Sequence, residues 1–260
     1  MAPEMEKIAY NKRPGMKGLD EGIRKVSPSY GRTVNFVQSD KKAEQTFAVD
    51  GQGERIVAHA LSLDPGVSQF QSQSLTIDLI EGCLLWTPEQ RREARRKYKD
   101  VGGRCLYTPD FLARIADGKG NVLEVKLDRF VGDDEYEKTL AIASVILVTN
   151  GYTFERIVLP SIQTHAVWSN IPLVSQAARR KELYPSQVMV ARIEELFNQG
   201  AKQARDFLAP LGIGMNMVPV LVAAGAMAVD LLLQPIRGDS PVQASYGGLD
   251  HLRVLQRLVK

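Results

Sequence analysis

The stretch CLYTPDFLARIADGKGNVLEVKLDRF, residues 105–130, constrains the fold more than any other part of the chain. Two apolar runs flank Asp117-Gly118-Lys119-Gly120-Asn121, a turn composition that returns one strand antiparallel to the other. Side chains alternate along a strand, so Val122, Glu124 and Lys126 share one face while Leu123, Val125 and Leu127 share the other. The second set packs. The first presents a carboxylate and an ammonium where a plain hydrophobic face would serve the fold better. Across the hairpin Asp110 comes close to Glu124. Two neighbouring carboxylates repel, and half-burying them is costly unless a cation neutralises them. A divalent metal does this best, and magnesium takes oxygen ligands while keeping positions for water and phosphate oxygens. The bland alternative makes Asp110 a turn residue after Pro109, with Glu124 and Lys126 an ion pair on the solvent face of an edge strand.

The flanking sequence supplies an α/β frame. TVNFVQS (33–39) reads as a strand and GERIVAHALSLD (53–64) as a helix stopped by Asp64-Pro65-Gly66, which puts Glu54 in its first turn. VSQFQSQSLTIDLI (67–80) alternates as one long strand or two short ones. PEQRREARRKYKDVGGR (88–104) is a short helix or an excursion between strands. Its cations, including Arg91, Arg92, Arg95, Arg96 and Lys97, make either a solvated loop or a phosphate-contacting finger. DDEYEKTLAIASVILVTNG (133–151) is a helix with an acidic first turn, and FERIVLP (154–160) returns as a strand. This order describes a mixed central sheet flanked by helices. Beyond it come PSQVMVARIEELFNQGA and QARDFLAPLG as helices, an apolar helix over 217–230, and QPIRGDSPVQA as a β wing, together the outline of a small winged-helix-like domain. The expected organisation is a basic arm over 1–33, a catalytic domain over 34–168 and a C-terminal domain over 169–260.

Composition narrows the function classes. The chain has 260 residues, 44% of them hydrophobic, enough for a substantial core, and a net charge of +3 that is too small to demand a polyanionic partner. Cys83 and Cys105 have no metal-like spacing and read as partly buried thiols; with no leader pattern at the start, a reducing, cytoplasmic compartment is expected. His59, His165 and His251 show no zinc-binding spacing. MVPVLVAAGAMAVDLLL (217–233) contains Asp230 and is shorter than the roughly 20 residues of a membrane span, so a buried helix is expected and no membrane partner.

TPDF (108–111) followed by LEVK (123–126) resembles the PD-(D/E)xK motif of the restriction-endonuclease-like superfamily. With GERIVAHALSLDPGVSQFQSQSLTI upstream, the chain from about residue 50 onward is more narrowly similar to TnsA, the endonuclease family of heteromeric transposases. That resemblance implies a metal-dependent DNA endonuclease that cleaves the 5′ ends of a transposon during cut-and-paste transposition. It implies catalytic roles for Glu54, Asp110, Glu124 and Lys126, and Mg²⁺, with Mn²⁺ substituting, held by Glu54, Asp110, Glu124 and the carbonyl of Val125. Some members carry glutamine where this chain has Glu124. Gln73 is a plausible phosphate contact, as is the basic 91–97 segment. The implied partners are transposon-end DNA, a ribonuclease-H-like transposase subunit (TnsB-like) and an ATPase regulator (TnsC-like), at a bacterial nucleoid. The chain has no phosphate-binding G-x-x-x-x-G-K-[ST] loop and no second acidic triad of its own. A stand-alone restriction or repair nuclease and a non-catalytic DNA-binding adaptor stand as the competing readings.

Overall fold

The computed structural model describes residues 19–20, 22–24, 34–41, 46–115, 118, 120–130 and 132–259. Asp117 and Lys119 of the expected turn, and every basic residue of the expected arm except Arg24, lie outside them. The fold is mixed α/β, and the chain divides into two compact units. The first takes residues up to Ala58, Gly66–Leu159 and the extreme C-terminus; the second takes His59–Pro65 and Pro160–Leu258.

Up to Leu159 the elements run β1 (Leu19–Asp20), β2 (Val34–Gln38), β3 (Thr46–Asp50), α1 (Gly51–Leu63, its last residues counted with the second unit), β4 (Val67–Ser72), β5 (Thr76–Asp78), β6 (Cys83–Leu85), α2 (Pro88–Lys97), β7 (Leu106–Tyr107), β8 (Phe111–Ile115), β9 (Gly120–Leu127), α3 (Asp134–Thr149) and β10 (Tyr152–Leu159). The central sheet has the order β10-β9-β8-β4. β8 and β9 pair antiparallel from Phe111↔Leu123 to Arg114↔Gly120, the hairpin the glycines require. β10 then lies parallel to β9 over its full length, reached through α3 as a parallel crossover demands.

Each face of β9 has its own cover. On one side Gly53 of α1 faces Val125, Leu127 and Leu159, at a spacing that accepts a helix backbone. On the other, Leu112 and Val122 pack with Leu75, Ile77, Tyr107 and the α3 residues Tyr136, Leu140, Ala143, Ile146 and Leu147. Glu124 shares this second, buried face with Val122.

The run over 67–80 is two strands in two sheets. β4 joins the central sheet, whereas β5 sits between β6 and β7 in an antiparallel sheet of three. The break falls at Gln73, which has a φ of +47° although it is not glycine and is 1% exposed. The stretch over 105–116 breaks likewise, into β7 and β8, at Thr108–Asp110. These two breaks face each other: the Gln73 N–H donates to the Asp110 carbonyl at 2.8 Å. Both strands therefore leave the central sheet at the level of the Pro-Asp pair.

The second unit contains α4 (Ala166–Ala178), α5 (Gln187–Asn198), α6 (Arg205–Leu211), α7 (Val218–Ala223), and the strands β11 (Met227–Ala228) and β12 (Gln243–Ala244), paired antiparallel. The expected boundary at 168/169 falls inside α4, an uninterrupted helix. Trp168 donates to the Pro160 carbonyl at 2.9 Å, and Asn170 is buried at its centre. The apolar helix ends at Ala223 rather than near 230, because Gly225 turns the chain at a φ of +71°; Asp230 lies beyond it, paired with Arg257 at 2.8 and 3.0 Å. No single helix among the described residues is long and apolar enough to cross a membrane.

Asn170 organises the end of this unit. Its amide donates to the carbonyls of Leu231 (3.0 Å) and Gln234 (2.8 Å), and its Oδ1 accepts from the Ile236 N–H at 3.0 Å. Asn170→Ala strands three main-chain groups and is expected to cost about 3 kcal/mol, read as a lowered urea midpoint. A loss under about 1 kcal/mol would show that water replaces the side chain.

Candidate active site

Glu124 is drawn from β9 into the α3-facing layer, where it is 3% exposed. A lone carboxylate there would be strongly disfavoured, and three donors compensate. The Tyr107 hydroxyl donates to Oε2 at 2.5 Å, the Tyr136 hydroxyl to Oε1 at 2.7 Å, and Lys126 Nζ lies 2.5 Å from Oε1. Local sequence explains each placement. Tyr107 ends β7 just before the Pro-Asp break. Tyr136 is fixed by the α3 cap, where Asp133 Oδ1 accepts its N–H at 2.7 Å. Lys126 follows Glu124 by two residues on the same face.

One step beyond the last β8–β9 pair, the register sets Asp110 opposite Glu124. Asp110 Oδ2 accepts the Val125 N–H at 2.8 Å, which locks the carboxyl against β9. Burial lifts its pKa well above the carboxylate range, and the charges of Glu124 and Glu54 lift it further against the pull of Lys126 and the Val125 N–H. Glu54, in the first turn of α1, accepts the Asp50 N–H at 2.9 Å. Burial raises it to about 7, the Asp50 and Glu124 charges adding to the rise while the Asp50 N–H and Arg24 oppose it. The expected quartet Glu54, Asp110, Glu124 and Lys126 thus forms one electrostatic unit, with Val125 supplying main chain within it.

Four contributors escaped the sequence reading. Tyr107 and Tyr136 look like ordinary core aromatics, and the caps and breaks that aim them are local signals whose target is not local. Asp50, at the end of β3, is the third. The fourth, Arg24, belongs to the expected arm. Its Nε donates to Gln73 Oε1 at 3.0 Å and its Nη2 meets Asp50 Oδ2 at 3.3 Å, while Ile23 N–H donates to the Gln73 carbonyl at 2.8 Å. The approach is so close that a Cβ on Gly22 would stand 2.3 Å from the Ser72 carbonyl oxygen. Gln73 therefore lies beneath the surface, bridging the Arg24 segment and Asp110, and its Nε2 has no hydrogen-bond partner among the described residues.

The basic 91–97 segment is helix α2, with Thr87 and Gln90 forming a reciprocal cap. Among its cations Arg92 pairs with Glu89 at 2.5 Å and Lys97 with Glu81 at 2.8 Å, while Arg95 and Arg96 are exposed. Cys83 is exposed and Cys105 buried. The histidines serve the fold: His165 caps α4, His59 meets Ser175 at 3.0 Å, and His251 contacts the Val222 carbonyl at 2.9 Å.

The donor set suits a hard cation, being all oxygen and short of positive charge. Among the described residues no three His, Cys, Asp or Glu stand close enough together to hold an ion as they are. A carboxylate has about four acceptor positions, and Glu124 has three filled, leaving one. Oδ1 of Asp110 carries no hydrogen bond from a described residue. Comparison with protein-family models and with curated protein sequences finds no match.

The crowding has a stability signature. Glu54 binds its proton more tightly in the folded chain than in the unfolded one, so stability falls as pH rises from 4.5 through about 7. A rise of this size corresponds to roughly 3 kcal/mol. Glu54→Gln keeps an acceptor for the Asp50 N–H and is expected to be more stable than wild type at pH 8 and equal to it at pH 4 in urea unfolding. Equal stability at both values would mean that neither burial nor the neighbouring charges raise this carboxyl.

Proposed function

We propose that the chain is a metal-dependent DNA endonuclease of the restriction-endonuclease-like kind, acting as a TnsA-like subunit that cuts the 5′ ends of a transposon. The observation that carries this reading is the gathering of three buried carboxyl groups, Glu54 from a helix, Asp110 from a strand break and Glu124 from a strand, with Asp110 tied to the Val125 N–H and Lys126 paired to Glu124. A chain selected for stability alone would replace such a group with apolar residues.

Glu54, Asp110, Glu124 and the Val125 carbonyl are the groups that would hold Mg²⁺ or Mn²⁺. An ion held by these groups would supply Lewis-acid polarisation of the phosphodiester and activation of water. Asp110 is held in place by the Val125 N–H and by the Gln73 contact to its main chain. The two tyrosines fix Glu124, and Lys126, 23% exposed at its side chain, reaches from that carboxylate to orient water and offset charge developing on the phosphoryl oxygens.

The order of α5, α6, α7 and the β11–β12 pair supports a winged-helix-like reading of the second unit. Its surface cations Arg180, Arg192, Arg253 and Arg257 each have a carboxylate partner, which favours protein contact there, with a ribonuclease-H-like transposase or an ATPase regulator, over phosphate contact. The exposed Arg95 and Arg96 of α2 are outer DNA contacts in this reading, and the site of action is the bacterial nucleoid.

The test is Mn²⁺ titration calorimetry in the presence of a short duplex, comparing wild type with Asp110→Ala, followed by cleavage with partner subunits present. Wild type is expected to bind the ion and the variant, still folded by circular dichroism, to lose binding and to cut about a hundredfold slower or worse. Full cleavage by Asp110→Ala would overturn the assignment.

A further inference from the structure

Three cations surround the ring of Tyr136, the residue whose hydroxyl holds Glu124. Lys126 Nζ lies 5.1 Å from the ring centroid, the Arg104 guanidinium 5.8 Å and the Arg156 guanidinium 5.9 Å. They come from three places in the chain. Arg104 ends the Gly102-Gly103 loop after α2, Lys126 is on β9, and Arg156 is on β10 directly beside Glu124 in the parallel register. Like charges gathered on one ring repel, and the quadrupole of a single tyrosine offsets only part of that.

The carboxylates in contact with this group do not balance it. Lys126 pairs with Glu124, and Arg156 Nη2 lies 2.7 Å from Glu137 Oε2. Arg104 is exposed and pairs with no carboxylate among the described residues. Asp134 and Glu135, in the same turn of α3 as Glu137, are exposed and lie outside the hydrogen bonds and ion pairs that the three cations make among the described residues. One positive charge is in surplus, on an exposed guanidinium 5.8 Å from the centroid of an aromatic ring. A guanidinium fork matches the paired oxygens of a phosphate diester.

We infer that Arg104 and Arg156, braced on Tyr136, form a phosphate-binding subsite for the nucleic-acid backbone next to the scissile position. This rests on the nuclease reading and deepens it, since Tyr136 couples the subsite to Glu124 and Lys126. A phosphate on Arg104 supplies the missing negative charge and sets the strand in register with the carboxylates. The contact lies outside α2, where Arg92 pairs with Glu89 of its own helix and Lys97 with Glu81. The bound group is a phosphodiester, so recognition is independent of base sequence.

The test is equilibrium binding of a fluorescein-labelled duplex in EDTA, where no strand is cut, across a salt series. The proteins are the full-length wild type, Arg104→Gln, Arg104→Lys, Arg156→Gln and the α2 pair Arg95→Gln/Arg96→Gln. Arg104 is exposed, so its variants are expected to unfold at the wild-type temperature. Loss of one phosphate contact is expected to reduce the slope of log K against log salt by about 1 in Arg104→Gln and to weaken binding about fivefold to tenfold at moderate salt, with Arg104→Lys keeping the slope. Wild-type slope and affinity in Arg104→Gln, whether or not the α2 pair shows a loss, would overturn the subsite and leave the nuclease assignment standing. Absence of duplex binding by the wild type at every salt concentration would overturn both.

Discussion

The rest of the candidate site depends on Glu124, a carboxylate held inside the packed layer between the central sheet and α3. An apolar residue there would suit the fold, since its neighbours on that face, Val122 and Leu112, belong to the core. Placing an acid there imposes demands on distant segments. Two tyrosines must aim hydroxyls at it, one from β7 and one from the first turn of α3, and Lys126 must fold back along its own strand. The cap on α3 and the end of β7 are thus set by the needs of one side chain as well as by local propensity.

The neighbours of Glu124 are difficult to ionise. Asp110 and Glu54 retain their protons far more readily than free carboxylates, first because they are buried and then because each adds to the repulsion felt by the others. Main-chain N–H groups from Val125 and Asp50 fix both carboxyls without removing that repulsion. Under the proposed function, groups held rigidly and short of positive charge take a cationic ligand with little reorganisation. The backbone contributes too. Gln73, buried at a positive φ, ties one strand break to the other and so holds Asp110 at the edge of the sheet, as strained positions near functional sites often do.

Much of this was legible beforehand. The β8–β9 hairpin follows from the glycines at 118 and 120, and alternation assigns Glu124 and Lys126 to one face with no knowledge of the rest. Helix α1, its stop at Asp64-Pro65 and the early position of Glu54 follow from capping and breaker rules. The division of the chain was less legible: Trp168, Asn170 and Pro172 look like linker residues in the sequence, yet they lie inside α4 because Asn170 satisfies three main-chain groups from residues 231–236. The extent of the apolar helix was overestimated for a similar reason, since hydropathy continues past Ala223 while the backbone turns at Gly225.

The sequence by itself determined which residues can be chemical and which face each takes, because strand alternation and helix capping are local rules. It named the carboxylates and the lysine. Only the tertiary structure decided what those residues meet: that Tyr107 and Tyr136 converge on Glu124, that Arg24 reaches back from the N-terminal segment to Gln73 and Asp50, and that three cations share the Tyr136 ring. These contacts join residues far apart in the chain, and their geometry depends on how a helix, two strand breaks and a loop pack together, which no local pattern encodes.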